Sequence, residues 1–486
     1  MGEAAALGGD ATWNLSPVDN TWNNPLNWTP NTIPGAFDTA TFNASNVTDI
    51  TFSSTSSILQ MSFTQSASSY TFTVNHLDVV IFTEVGPVNN SGTEQHFECP
   101  VDEMGNAGAF SFEGNSSAGV QTFFSVDART TFSGLSGAAQ FLDSGSAGNG
   151  TFTIKASSLV GDSVGAQAAF FASSDAGNAT IINEGATVNG AGGGATFFYN
   201  QTRALNATLI ANSGSGGGGG GLTQFWDNAA GDTARIELFG NGLLDLTHHR
   251  SSMGVGSIEG DGLVFLGSHT LTLGTNGLNT TFSGVIDEGT GSGGSLEKAG
   301  SGTFTLSGAN TYSGSTTLSA GTLIVSNRTG SATGTGSVKA NVGTLGGSGI
   351  IAGTVTVGTG SGGGAFLTPG IGTNKQVTLT IQSALTFSSD STYTYTFKGN
   401  RNRVRTDLVI ANGVTINRGT IAISSSSQNR IRRGTVLTVI SNTSASPISG
   451  TFSNLADGAI INVNGNNLQA DYSGGDGNDL TLTVVP

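Results

Sequence analysis

Residues 295–326 read SLEKAGSGTFTLSGANTYSGSTTLSAGTLIVS, and this stretch decides the fold. Phe304 and Leu306 alternate with Thr303 and Thr305 between Gly302 and Gly308, the period-2 pattern of a half-buried strand. Ala309 to Gly314 turns the chain, Thr316 to Leu318 starts a second extended piece, and Gly321 turns it again before Thr322 to Val325. Gly and β-branched residues dominate the run and disfavour a helix. Short strands with a glycine at each corner suit a chain winding about one axis.

The pattern L-x-K-x-G-x-G-T-F-T-L-S-G-x-N-T-Y-S-G, continued by T-T-L and G-T-L, closely resembles the autotransporter-associated β-strand repeat, also called the passenger-associated transport repeat. The likeness is strong over roughly 245–370 and looser beyond. It implies an all-β right-handed parallel β-helix exported across the bacterial outer membrane, and no particular activity. The domain plan expected is a Trp-rich cap over 1–46, Gly/Phe-rich coils over 47–240, repeat coils over 241–370, and C-terminal coils with a basic stripe over 371–486.

Composition agrees with this reading. The chain has 486 residues, 75 of them Gly and 27 Phe, with only 10% charged. Low charge with many aromatics argues against disorder. The lone Cys99 forms no internal disulfide, so stability falls to stacked burial. Net charge −15 argues against general nucleic-acid binding. No run of eighteen apolar residues spans a membrane, and no signal peptide precedes Ala4-Ala5-Ala6. The expectation is therefore a mature or trimmed export product without its transport barrel, secreted or at the bacterial cell surface.

Trp13, Trp22 and Trp28, followed by Phe37 and Phe42, read as an aromatic cap over the first coil. A sugar-stacking platform is the weaker alternative. Between 105 and 240, Phe141-Leu142, Phe170-Phe171, Phe197-Phe198-Tyr199 and Phe225-Trp226 each precede an alanine, at 147, 176, 204 and 230. That step, close to 28 residues, predicts one Phe per coil stacked on the next. Asn149, Asn178 and Asn206 fall at the equivalent turn and predict an asparagine ladder.

Groups capable of chemistry gather in four places. Glu94, His96 and Glu98 share one face of an extended strand, beside Cys99, Asp102 and Glu103. Asp245, His248, His249, Arg250, Glu259, Asp261 and His269 form a second group, read mainly as turn residues. From Lys398 to Arg433, eight of the chain's 17 basic residues face the single acid Asp407, giving +7 in a chain of −15. Within it Arg401, Arg403 and Arg405 make a basic stripe, the candidate ligand-binding residues. The sequence GGDGNDLTL at 474–482 matches one copy of a calcium-binding nonapeptide, with Asp476 and Asp479 as candidate ligands. No catalytic residue is assigned, and calcium is the one cofactor considered.

The expected role is a non-catalytic rod for adhesion, spacing or self-assembly at the bacterial surface. The alternative is a carbohydrate-active β-helix that binds or cleaves an acidic polysaccharide. Expected partners are an anionic glycan or other cell-surface component, or further copies of the chain.

Overall fold

Strand after strand in this protein lies parallel to the one a coil earlier, as glycine corners and alternating apolar residues require. The computed structural model describes residues 8–372, 375–400, 403–425 and 430–486. Among them no α-helix occurs, and a single 3-10 turn covers Pro25–Asn27. The chain divides into two compact units, Met1–Gly256 and Ser257–Pro486.

In the first unit two parallel ladders alternate along the chain. One runs through Ala109–Phe112, Ala138–Phe141, Gln167–Phe170, Ala195–Phe198 and Leu222–Phe225. The other runs through Gln95–Cys99, Val120–Val126, Asn149–Ile154, Thr180–Asn183 and Thr208–Ala211. A third side consists of single-residue bridges, Ser117 to Ser146 to Asp175 to Arg203 to Ala230. Each coil therefore gives one strand to each ladder and one residue to the bridge column, which is a parallel β-solenoid.

Register sets the core. Phe112, Phe141, Phe170, Phe198 and Phe225 are mutual partners, and their rings stack 4.9, 4.3, 4.6 and 4.7 Å apart. A second column, Phe72, Phe97, Phe124 and Phe152, stacks at 5.0, 4.6 and 4.6 Å from the other ladder. Each such pair contributes about 0.5–1.5 kcal/mol beyond burial alone. The asparagine ladder also forms: Asn178 Nδ2 donates to Asn149 Oδ1 at 3.1 Å, and Asn206 Nδ2 to Asn178 Oδ1 at 3.0 Å.

The first coil is covered by tryptophan. Trp28–Thr29 pairs antiparallel with Ala11–Trp13, and Trp13, Trp22 and Trp28 are at most 1% exposed. Their rings meet edge to face at 5.1 and 4.7 Å, and Trp22 stacks on Phe52 at 4.5 Å. Rings so enclosed cap the coil and offer no face to a sugar.

The second unit winds on three sides. Thr270–Leu273, Ser295–Lys298, Thr316–Leu318, Val338–Ala340 and Val355–Val357 form one ladder. Thr303–Leu306, Thr322–Val325, Gly343–Gly347, Ala365–Thr368 and Ser391–Gly399 form another. Ile350–Ile351, Thr378–Ile381, Leu408–Ala411 and Val436–Asn442 form the third.

Here the repeat's polar residues hold the corners. Lys298, 1% exposed, donates from Nζ to the carbonyls of Ala299, Gly300 and Ala320 at 2.5, 2.9 and 3.3 Å. Burial pushes its ammonium pKa down. Asn310 accepts from Ile286 N–H at 2.8 Å and donates to Ala332 O at 2.6 Å. The buried Tyr312 hydroxyl meets Thr316 Oγ1 at 2.6 Å.

Winding does not continue to the end. Asp479–Val485, Asn466–Gly474 and Ile460–Val463 pair antiparallel, and Asp479–Val485 closes against Val436–Asn442. Gly475 at φ 63° and Gly477 at φ 109° supply the left-handed backbone of the hairpin that reverses the chain.

Candidate functional site

The basic segment becomes a hairpin. In Ser391–Gly399 the side chains of Tyr393, Tyr395 and Phe397 are fully buried while the threonines between them face outward. That alternation fixes which way Lys398 points, since it follows Phe397 and must turn out. Val404–Thr406 folds back antiparallel on this strand, setting Lys398 directly opposite Arg405. Both are exposed, as is Arg403. Like charges directly across a strand pair repel and destabilise it.

The nearby acid does not relieve them. Asp407 is fully buried, and its carboxylate accepts from Thr396 N–H and Oγ1 at 3.3 and 2.5 Å and from Val377 N–H at 3.1 Å. Among the described residues, none of the ion pairs involves Lys398, Arg403 or Arg405. Lys375, Gln376, Lys398, Asn400, Arg403 and Arg405 line a cleft of about 340 Å³. Every lining residue is polar and four carry positive charge. A surface like this attracts anions, and its amides can bond hydroxyl groups. Arg401, the first residue of the predicted stripe, lies outside the described residues. Lys375 was not foreseen, because its neighbourhood depends on a coil spacing that charge counting does not reveal.

The other predicted groups fall as follows. His96 and Glu94 approach to 3.7 Å, and the His96 ring stacks on Phe123 of the next coil at 5.5 Å. Asp245 accepts from Gln224 Nε2 at 2.6 Å and from Thr247 N–H at 2.9 Å. Arg250 pairs with Asp227 at 2.8 Å, and the buried His249 ring lies 2.8 Å from Ala229 O through Nε2. These belong to the first unit, whereas Glu259, Asp261 and His269 belong to the second. Asp476 and Asp479 sit at the turn of the antiparallel hairpin, where Asp479 Oδ1 accepts from Asn442 N–H at 2.8 Å. Among the described residues no three His, Cys, Asp or Glu side chains converge as a metal site.

One surface feature escaped the sequence reading. In each Phe doublet the first ring points inward and the second outward. Phe171 stacks on Tyr199 at 5.0 Å, Tyr199 lies 5.7 Å from Trp226, and Trp226 stacks on His248 at 3.9 Å. Phe171 and Tyr199 are only 10° from parallel, so they cover one another's faces. This outer column joins coil to coil rather than offering a platform.

Comparison with known proteins fits the geometry. Residues 296–325 match the passenger-associated-transport-repeat family. No curated protein matches the chain. Among solved structures, the crystal structure of the Haemophilus influenzae Hap adhesin is similar at 10% identity, with a TM-score of 0.26. That match covers 94% of this chain and 65% of that one, so the chain spans just under two thirds of its length. The chain thus resembles an autotransporter passenger, a secreted or cell-surface bacterial protein.

Proposed function

We propose that this chain is a non-catalytic β-solenoid that works at the bacterial surface by adhesion, docking an anionic glycan on the cationic hairpin. The observation that carries this reading is the like-charged cross-strand pair, Lys398 opposite Arg405, on a chain of net charge −15. Local rules are broken at functional sites and compensated elsewhere. The charged groups of the first unit behave otherwise. Lys155 with Glu184 at 3.3 Å and Arg203 with Asp232 at 2.6 Å join consecutive coils, as staples do.

Screening the purified chain on a glycan array, with and without calcium, tests the reading. Anionic glycans bind the native chain, and Arg403→Ala/Arg405→Ala loses the signal. Unchanged binding by that variant removes the hairpin from the reading. Release of new sugar ends from an acidic polysaccharide favours the carbohydrate-active alternative. Growth of light scattering with concentration favours self-assembly.

A further inference from the structure

The cations of the second unit recur at one position of the coil. Thr378–Ile381, Leu408–Ala411 and Val436–Asn442 are successive parallel rungs of one sheet, with Thr378 opposite Leu408 and Val409 opposite Ile440. Lys375 stands three residues before the first rung and Arg405 three before the second, so this register sets them side by side. Arg430 and Arg433 precede the third. Neighbouring rungs lie ~4.8 Å apart. The positive charges therefore form a file across the strands, along the direction of stacking.

Two clefts lie on this file. The first is the 340 Å³ hollow at Lys375, Lys398, Arg403 and Arg405. The second, of about 410 Å³, is lined by Arg430 and Arg433, by Asn462, Asn466 and Asn467, and by the end of Asp479–Val485. Val436 pairs with Thr483, which brings that strand's end beside the start of the third rung. Among the described residues no ion pair holds Arg430 or Arg433.

We propose that the two clefts form one track for a linear polyanionic saccharide, carboxylated or sulfated, laid along the stacking axis over three rungs. A single small anion needs one cleft, whereas charge repeated rung after rung matches charge repeated along a polymer. The first cleft has no aromatic or aliphatic anchor, which disfavours a protein partner, whose binding energy concentrates in such anchors. Amide groups beside the cations in both clefts suit a ligand bearing hydroxyls between its charges. This track rests on the anionic-glycan reading above and adds its orientation and length.

The test is calorimetric titration of the whole chain with size-defined heparin oligosaccharides and oligogalacturonates, with neutral dextran as control. Heparin chains of eight or more sugars bind at least tenfold tighter than the disaccharide. Arg430→Gln/Arg433→Gln lowers long-chain affinity about tenfold, leaves disaccharide binding unchanged, and flattens the slope of log K against log salt by about 1–2. Arg430→Lys/Arg433→Lys keeps most of the native affinity, and unaltered circular dichroism confirms that both variants fold. Equal affinity for disaccharide and long chain, or no effect of Arg430→Gln/Arg433→Gln, overturns the track and leaves the single-cleft reading standing. Binding of no anionic saccharide at any length overturns both. Binding to phosphatidylglycerol vesicles with none to saccharides assigns the cations to a lipid surface and also overturns the track. A preference between heparin and galacturonate tells sulfate from carboxylate within a supported track.

Discussion

The two units reach the same parallel stacking by different chemistry. In the first, coils step evenly, from Phe112 to Phe141, Phe170, Phe198 and Phe225, and aromatic columns hold them. In the second, the step is uneven, from Leu296 to Thr316, Val338, Val355 and Leu385. There Leu, Val and Ala fill the core, and buried polar groups such as Lys298 and Asn310 secure the corners. A flat ring needs the ring below at a set distance, so aromatic columns demand a constant coil. Side chains that bond corner carbonyls tolerate changes of length between corners.

The largest expected effect tests the aromatic side of this contrast. Phe141→Ala removes a fully buried ring stacked on both neighbours and destabilises the first unit by about 4 kcal/mol. Denaturant unfolding followed by Phe and Trp fluorescence measures it, and a loss under ~1 kcal/mol would deny the column its role. Next, Asn310→Ala strands Ile286 N–H and Ala332 O and costs the second unit about 2–3 kcal/mol, read by the same unfolding curve.

A smaller effect depends on pH. Burial works to raise the pKa of Asp390, but N–H groups of Gly360, Gly362 and Thr359 and the Thr359 hydroxyl outweigh it, holding the carboxyl at about 2. Its folded pKa lies below the ordinary 3.8, so its contribution is full above that pH and fades as pH falls towards 2. Discounted for solvent contact, this amounts to about 1 kcal/mol. Acid titration of stability shows it as a drop that Asp390→Asn lacks. Smallest is Lys155→Gln, which breaks a half-exposed coil-to-coil ion pair and shifts stability by under ~0.5 kcal/mol.

Much of this architecture was legible in the sequence. Period-2 runs and the Phe spacing disclose parallel coils because stacking needs the same residue at the same place in every turn. The outward column of Phe171, Tyr199 and Trp226 went unread, since two adjacent aromatics look alike until the strand register assigns each a face. The final hairpin was hidden because GGDGN serves a repeating coil and a reversing turn equally well. Arg403 and Arg405 stood out by charge density alone. Lys375 joined them only through the pairing of Thr378 with Leu408, a spacing that no local pattern carries.

The opposition of Lys398 and Arg405 has a thermodynamic corollary. A hairpin whose facing cations push apart is at its tightest when something negative lies between them, so occupancy and local order are linked quantities. Hydrogen exchange along Phe397–Gly399 and Val404–Thr406 should therefore slow as a polyanion is added, turning the strand pair itself into a reporter of its ligand.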